Sequence, residues 1–201
     1  MASDSCFLCY PSRELLYLAD GSFFALLGLG PIVEGYTLIA TREHIPSMLD
    51  LAATEFDSLL NFTQRVRETL STYYGDVIVT EHGRIPICEA RRGAQQHCFH
   101  AHRLVFPVTM HLDERLSGLG LPWARYGSPT DIRDFAWHGE YLYYENQEGE
   151  CMISPAPSTL MPQFFRHTVA EMVGRPELAS WAKYPQPDII LKARSKLRGI
   201  R

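Results

Sequence analysis

The chain has 201 residues, 46% hydrophobic and 21% charged, which suits one globular domain with a buried core, or one domain plus an appendage. A formal net charge of -4 gives no electrostatic reason to expect nucleic acid as a partner. No apolar run of about 18 residues appears, and MASDSCFLCYPSRELL lacks the basic start and long apolar stretch of a secretory leader, so a cytoplasmic protein without a membrane partner is expected.

The first two candidate strands are SFFALLGL (22–29) and YTLIA (36–40), joined by a turn through GPIVEGY and read together as a hairpin. The loop TREHIPSMLDLA follows. From Thr54 to Tyr74 the apolar residues Phe56, Leu59, Leu60, Val66, Leu70 and Tyr73 recur at three- and four-residue steps. Gly75 stands where a helix ends, so this stretch is expected to be the long helix of the fold. DVIVTEHG (76–83) reads as a strand and RIPICEARRGAQQ as an irregular loop. CFHAHRLVFPV is a further strand, on which His100 and His102 share a face and His97 points the other way.

Beyond it, SGLGLPWARYGSPTD has the Gly and Pro content of a linker, and EYLYYENQEGECMIS that of a hairpin turning near Gly149. MPQFFRHTVAEMVG (161–174) reads as a short helix with Pro162 in its first turn and Gly174 at its end. The basic LKARSKLRGIR reads as a solvated tail. Strand, strand, helix, strand, strand, hairpin, helix is an α+β order with an antiparallel sheet. It divides into a domain over 1–112 and a C-terminal extension over 113–201, packed on the same domain.

The five cysteines, Cys6, Cys9, Cys88, Cys98 and Cys151, are an odd number for a disulfide framework. Only Cys6 and Cys9 have a suggestive spacing, and in a reducing compartment C-x-x-C reads as half of a zinc site or as a redox pair. With His44 and His100 they make two thiols and two imidazoles, a standard zinc complement. For the histidines the bland alternative is a pair of hydrogen-bonded core rings, and for the cysteines two ordinary thiols. His82, His111, His138 and His167 have no partner pattern and are read as ordinary structural or surface residues.

CFLC, VEGYTLIATREHIPSM and QHCFHAHRLVFP, in this order with a long helix before the last, resemble the histidine triad (HIT) family of nucleotide hydrolases and transferases. The resemblance covers about the first half of the chain. VTEHG and QFFRHTVAEMVG are similar to strings of a longer, bacterial-type branch and would extend it. It implies a HIT-like α+β fold, with zinc held by Cys6, Cys9, His44 and His100. It also implies that His102 is the nucleophile attacking the α-phosphorus, and that Gln96 is a phosphate-side contact. A neutral imidazole suits this chemistry, because nitrogen attacks phosphorus well and the phosphoramidate formed is labile.

The third histidine of the family is replaced by Leu104, which neither donates a hydrogen bond nor carries charge. Galactose-1-phosphate uridylyltransferases, a related branch, place a glutamine at that point. His97 stands where the family commonly has Ser or Thr against phosphate, and is read as supplying the polar group that Leu104 cannot. The arginines of ARRG (90–93) are candidates to neutralise a polyphosphate. Walker-type and G-x-G-x-x-G phosphate loops are absent.

The resemblance thus implies a hydrolase acting at the α-phosphate of a nucleoside phosphate conjugate, a dinucleoside polyphosphate or nucleoside phosphoramidate, through a nucleotidyl-histidine. Two alternatives stand beside it: a nucleotidyltransferase or phosphorylase using an acceptor other than water, and a nucleotide-binding protein weakened in catalysis by Leu104. Family members are commonly homodimers.

Overall fold

A computed structural model describes residues 6–85 and 100–198. Its centre is an antiparallel sheet of eight strands: β1 (Leu16–Ala19), β2 (Phe23–Leu27), β3 (Thr37–Thr41), β4 (Val77–Gly83), β5 (His102–Pro107), β6 (Ala124–Tyr126), β7 (Tyr141–Glu145) and β8 (Cys151–Pro155). Their order across the sheet is β1-β2-β3-β5-β4-β7-β8-β6. The helices are α1 (Ala53–Tyr74), α2 (Asp113–Ser117), α3 (Phe164–Met172) and α4 (Pro187–Leu197). The expected α+β class is what is observed. The predicted β2–β3 hairpin forms in register, Phe23 facing Thr41 and Leu27 facing Thr37.

Three expectations need correcting. The stretch read as linker carries β6 and a 3-10 helix over Pro129–Asp134; β6 has only three residues, too few to show a period. The stretch read as a solvated tail is most of α4, whose Ala193 and Leu197 lie four residues apart and are both buried. Among LKARSKL those two are diluted by three cations, which hides the stripe. Pro162 precedes α3 rather than lying in its first turn. The short strand β1, LYLA, is an addition to the elements expected from the sequence.

The β2, β3 and β7 runs are buried at every position, because helices cover both faces of the sheet. One face packs under α1, where Phe56, Leu59, Phe62, Val66 and Leu70 meet Ile39, Val79, Val105 and Tyr143. The periodicity read from the sequence is this stripe, and Gly75 ends the helix at φ +79°, a conformation that favours glycine. The other face collects Phe24, Leu38, Ile78, Phe106 and Leu142 under Phe165 and Val169 of α3, with Cys6 and Leu8 of the N-terminal segment. On β5, His102, Leu104 and Phe106 look toward that second face, while Arg103 and Val105 look toward α1.

One buried carboxylate ties the His44 loop to the sheet. Glu81 of β4 accepts the Met48 backbone N–H at 2.9 Å and the Tyr141 hydroxyl at 2.5 Å through the same oxygen, and its other oxygen meets Arg103 Nε at 3.4 Å. Arg84 N–H donates to Pro46 O at 3.1 Å, and Ala101 N–H to Ile45 O at 2.7 Å, so the loop following β3 is held to β4 on one side and to the start of β5 on the other.

Candidate metal centre and active site

Three segments far apart in sequence meet at one corner of the sheet. Cys6 and Cys9 lie on a tight turn closed by Cys9 N–H donating to Cys6 O at 3.1 Å. His44 stands three residues beyond β3, and His100 two residues ahead of β5, outside the strand on which sequence alternation placed it. The ligand atoms of these four residues all lie within 4.8 Å of one another. His100 Nδ1 is 3.4 Å from Cys6 Sγ and 3.6 Å from Cys9 Sγ, and His44 Nδ1 is 3.1 Å from Cys9 Sγ.

These distances suit a shared metal. With Zn–S near 2.3 Å and Zn–N near 2.0–2.1 Å, sulfur and nitrogen neighbours in a tetrahedron stand about 3.5 Å apart. The outer contacts agree. His100 Nε2–H donates to the Thr41 carbonyl at 2.7 Å, which fixes the tautomer and leaves Nδ1 as the coordinating atom. Burial pushes His100 down to about 4 and lowers His44, so both rings are in the neutral form that a metal needs. The donor set fits zinc, and Cys6, Cys9, His44 and His100 are the residues that would hold it.

Beside this corner His102, partly exposed, begins β5. Its Nδ1–H donates to the His100 carbonyl at 2.8 Å, so the lone pair is on Nε2. Burial lowers its pKa, against a hydrogen bond to the His100 carbonyl and the charge of Glu81 that raise it. The ring is thereby neutral and held in one tautomer, with a lone pair on Nε2. Its cross-strand partner on β3 is Ala40; Leu104, next on the same face, pairs with Leu38 and with Thr80 of β4. Gln96, His97, Cys88, Cys98 and the ARRG arginines lie outside the described residues.

A histidine without a sequence pattern lies on the same face of the sheet. His82 of β4 has its Nε2 2.6 Å from Glu140 Oε1, and its Nδ1 is buried with no hydrogen-bond partner among the described residues. Burial, followed by the nearby His102, holds its pKa down at about 4. The signal in the sequence is the string VTEHG, which puts Thr80 and His82 at alternate positions of one strand. His111 lies on the surface 3.9–4.0 Å from Glu148 and Asp113. A cavity of about 300 Å³ lined by Leu49, Phe56, Arg84, Trp137 and His138, among others, contains none of the predicted site residues. No helix among the described residues is long and apolar enough to cross a membrane.

No family model matches the sequence, and no curated protein matches it. Among solved structures the chain is similar to a hypothetical histidine triad nucleotide-binding protein from Sulfolobus tokodaii, at 20% identity and a TM-score of 0.40 over 51% of this chain and 68% of that one. It is similar to a Zn-bound histidine triad family protein from Mycobacterium smegmatis, at 19% identity and TM-score 0.40, over 51% of this chain and 74% of that one. A HIT family hydrolase from Clostridium thermocellum gives 16% identity and TM-score 0.40, over 55% of this chain and 96% of that one.

Proposed function

We propose that this chain is a histidine triad-type enzyme that cleaves a nucleoside phosphate conjugate at its α-phosphate, with His102 as the nucleophile. The observation that carries the reading is the meeting of Cys6, Cys9, His44 and His100 next to a neutral imidazole whose Nδ1–H is tied to the His100 carbonyl. The residues that the sequence resemblance singled out as ligands are drawn from three distant segments, and the remaining member of that set stands beside them with Nε2 available.

In the first step Nε2 of His102 attacks the α-phosphorus. An N–P bond forms, and the bond from phosphorus to the leaving group breaks with its electron pair going to that group. In the second, water or another acceptor attacks phosphorus and the pair in the P–N bond returns to His102. The His100 carbonyl holds the His102 ring in the tautomer that exposes Nε2 throughout. Zinc held by four protein ligands has no open position and would supply rigidity rather than Lewis acidity, fixing the two strand ends and the N-terminal turn. Charge growing on the phosphate oxygens needs donors, for which backbone N–H groups, Gln96, His97 and the ARRG arginines are the candidates.

The test is intact-protein mass after brief mixing with adenosine and guanosine phosphoramidates and dinucleoside polyphosphates. A gain of one nucleoside monophosphate in the wild type, absent in His102→Ala, is the expected result. Neither adduct nor released nucleotide from any of them would sink the reading in favour of a protein that only binds nucleotide. Transfer to another acceptor is the second reading, since Leu104 cannot supply the polar contact to phosphate or leaving group that the resemblance implies at that position. A change of product on adding inorganic phosphate or a sugar phosphate would select it.

A further inference from the structure

Leu104 leaves β5 without a third polar side chain beyond His102, but the neighbouring strand is not apolar at the same level. Antiparallel register sets Thr80 opposite Leu104 and Ile78 opposite Phe106, so Thr80 and His82 face the same way as Leu104 and His102. The ladder ends at Thr80 and Leu104, and two residues beyond it His82 and His102 lie on that same face, at the ends of the two strands between which the His44 loop is held.

His82 is gripped from its far side. The Glu140 carboxylate, just ahead of β7, takes the Nε2–H at 2.6 Å and so leaves the lone pair on Nδ1. That Nδ1 is buried without a partner among the described residues, and so is the Thr80 hydroxyl two positions before it. A buried polar atom left unpaired costs free energy, and a native fold accounts for it by strain, a water, an ion, a ligand or a catalytic duty. Here both orphans stand on the face of His102, around the one position where a polar side chain is missing. His82 keeps 12% of its side chain exposed, and His102 is likewise only partly buried.

We propose that His82, oriented by Glu140, is the general base that activates the acceptor discharging the nucleotidyl group from His102, and that the Thr80 hydroxyl completes the polar lining that Leu104 interrupts. The inference rests on the reading that His102 carries that group. The water oxygen bonds to phosphorus as the P–Nε2 bond breaks and its electron pair returns to His102. The water proton passes to Nδ1 of His82. The products are neutral His102, a nucleoside monophosphate and a His82 imidazolium facing the Glu140 carboxylate, which then releases its proton to solvent. The carboxylate–imidazole pair thus serves the second half-reaction and leaves the first to His102 alone.

The experiment is a rapid-quench time course of intact mass on the full chain with adenosine phosphoramidate, for the wild type, His82→Asn and Glu140→Gln, each checked for folding by circular dichroism. Adduct formation is expected within about 3-fold of wild type in both variants. Discharge should slow about 100-fold in His82→Asn and about 10-fold in Glu140→Gln, so that the adduct accumulates. Discharge at the wild-type rate in both variants overturns the inference, as does a folded His82→Asn that forms no adduct. Should His82→Asn fail to fold, Glu140→Gln decides alone. A wild type that forms no adduct overturns the reading of His102 itself, and this inference with it.

Discussion

Adjacent residues of β5 face opposite sides of the sheet and live in opposite conditions. Arg103, fully buried under α1, meets Glu81 at 3.4 Å and lays its guanidinium over the Tyr143 ring at 4.5 Å. Around it Tyr143 donates to Glu145, which takes Arg67 at 2.7 Å, and Tyr141 donates to Glu81, while Nη1 and Nη2 of Arg103 have no hydrogen-bond partner among the described residues. His102, its neighbour in sequence, faces a side where Thr80 Oγ1 and His82 Nδ1 have no partner among the described residues. On the α1 side the carboxylates are tied into ion pairs and hydrogen bonds between strands and the unpaired atoms belong to Arg103 and Thr63, whereas on the His102 side the unpaired atoms are Thr80 Oγ1 and His82 Nδ1.

The strongest way to break the comparison is to treat both faces alike. Arg103→Met should cost about 3–5 kcal/mol, because it leaves the Glu81 carboxylate buried without its cation. Adding Glu81→Gln should recover part of that loss. Thr80→Val, on the other face, removes a hydroxyl that has no partner among the described residues and should be neutral or stabilising. Urea unfolding of the three variants measures all of this. Equal losses for Arg103→Met and Thr80→Val would show that the two faces do not differ in the way described.

A smaller effect sharpens the same contrast through the metal corner, whose Cys6 and Leu8 pack on the His102 face. The purified chain should carry one zinc by elemental analysis, and Cys9→Ser should lose it. With free zinc about 100-fold above its dissociation constant, binding stabilises the fold by about 2.7 kcal/mol, so chelation should lower the melting temperature. Hydrogen exchange after chelation should rise at residues 6–10 and 100–104 while β4 under α1 stays protected. Uniform exchange would mean that the corner is not a separate anchor.

Much of this arrangement is legible in the sequence alone, and the reasons differ by element. The α1 stripe is visible because one helix face is apolar and the period is clean. The four candidate ligands are visible because two thiols and two imidazoles are a standard zinc complement, and the histidine triad resemblance names the same four. Which ring nitrogen faces the cluster is not legible, since it is decided by the Thr41 carbonyl, a backbone atom without a sequence signature. His82 escapes a sequence reading for a related reason. Its position follows from sheet order, β5 beside β4 beside β7, which sets the strand of His82 between that of His102 and the one that Glu140 precedes. Gln96 and His97 lie outside the described residues and stay proposals.

The smallest effect concerns the His82–Glu140 pair, and its sign follows from linkage. Burial holds His82 at about 4 in the folded chain against 6.5 in the unfolded one, so between these values the unfolded state binds more protons. Stability is therefore unaffected by this group above pH 6.5 and falls as pH drops toward 4, by about 2 kcal/mol at pH 5. Burial also raises Glu140, which works in the opposite direction as pH rises through the carboxylate range, so the carboxylate has to be removed from the comparison. Glu140→Gln and the double variant Glu140→Gln/His82→Asn provide it. Unfolding measured from pH 7 to pH 4 should be steeper in the single variant, and parallel curves would mean that His82 is solvated rather than held neutral next to His102. A ring that stays neutral is also the only form able to take a proton from an attacking water, so these curves bear on the proposed base by a route independent of turnover.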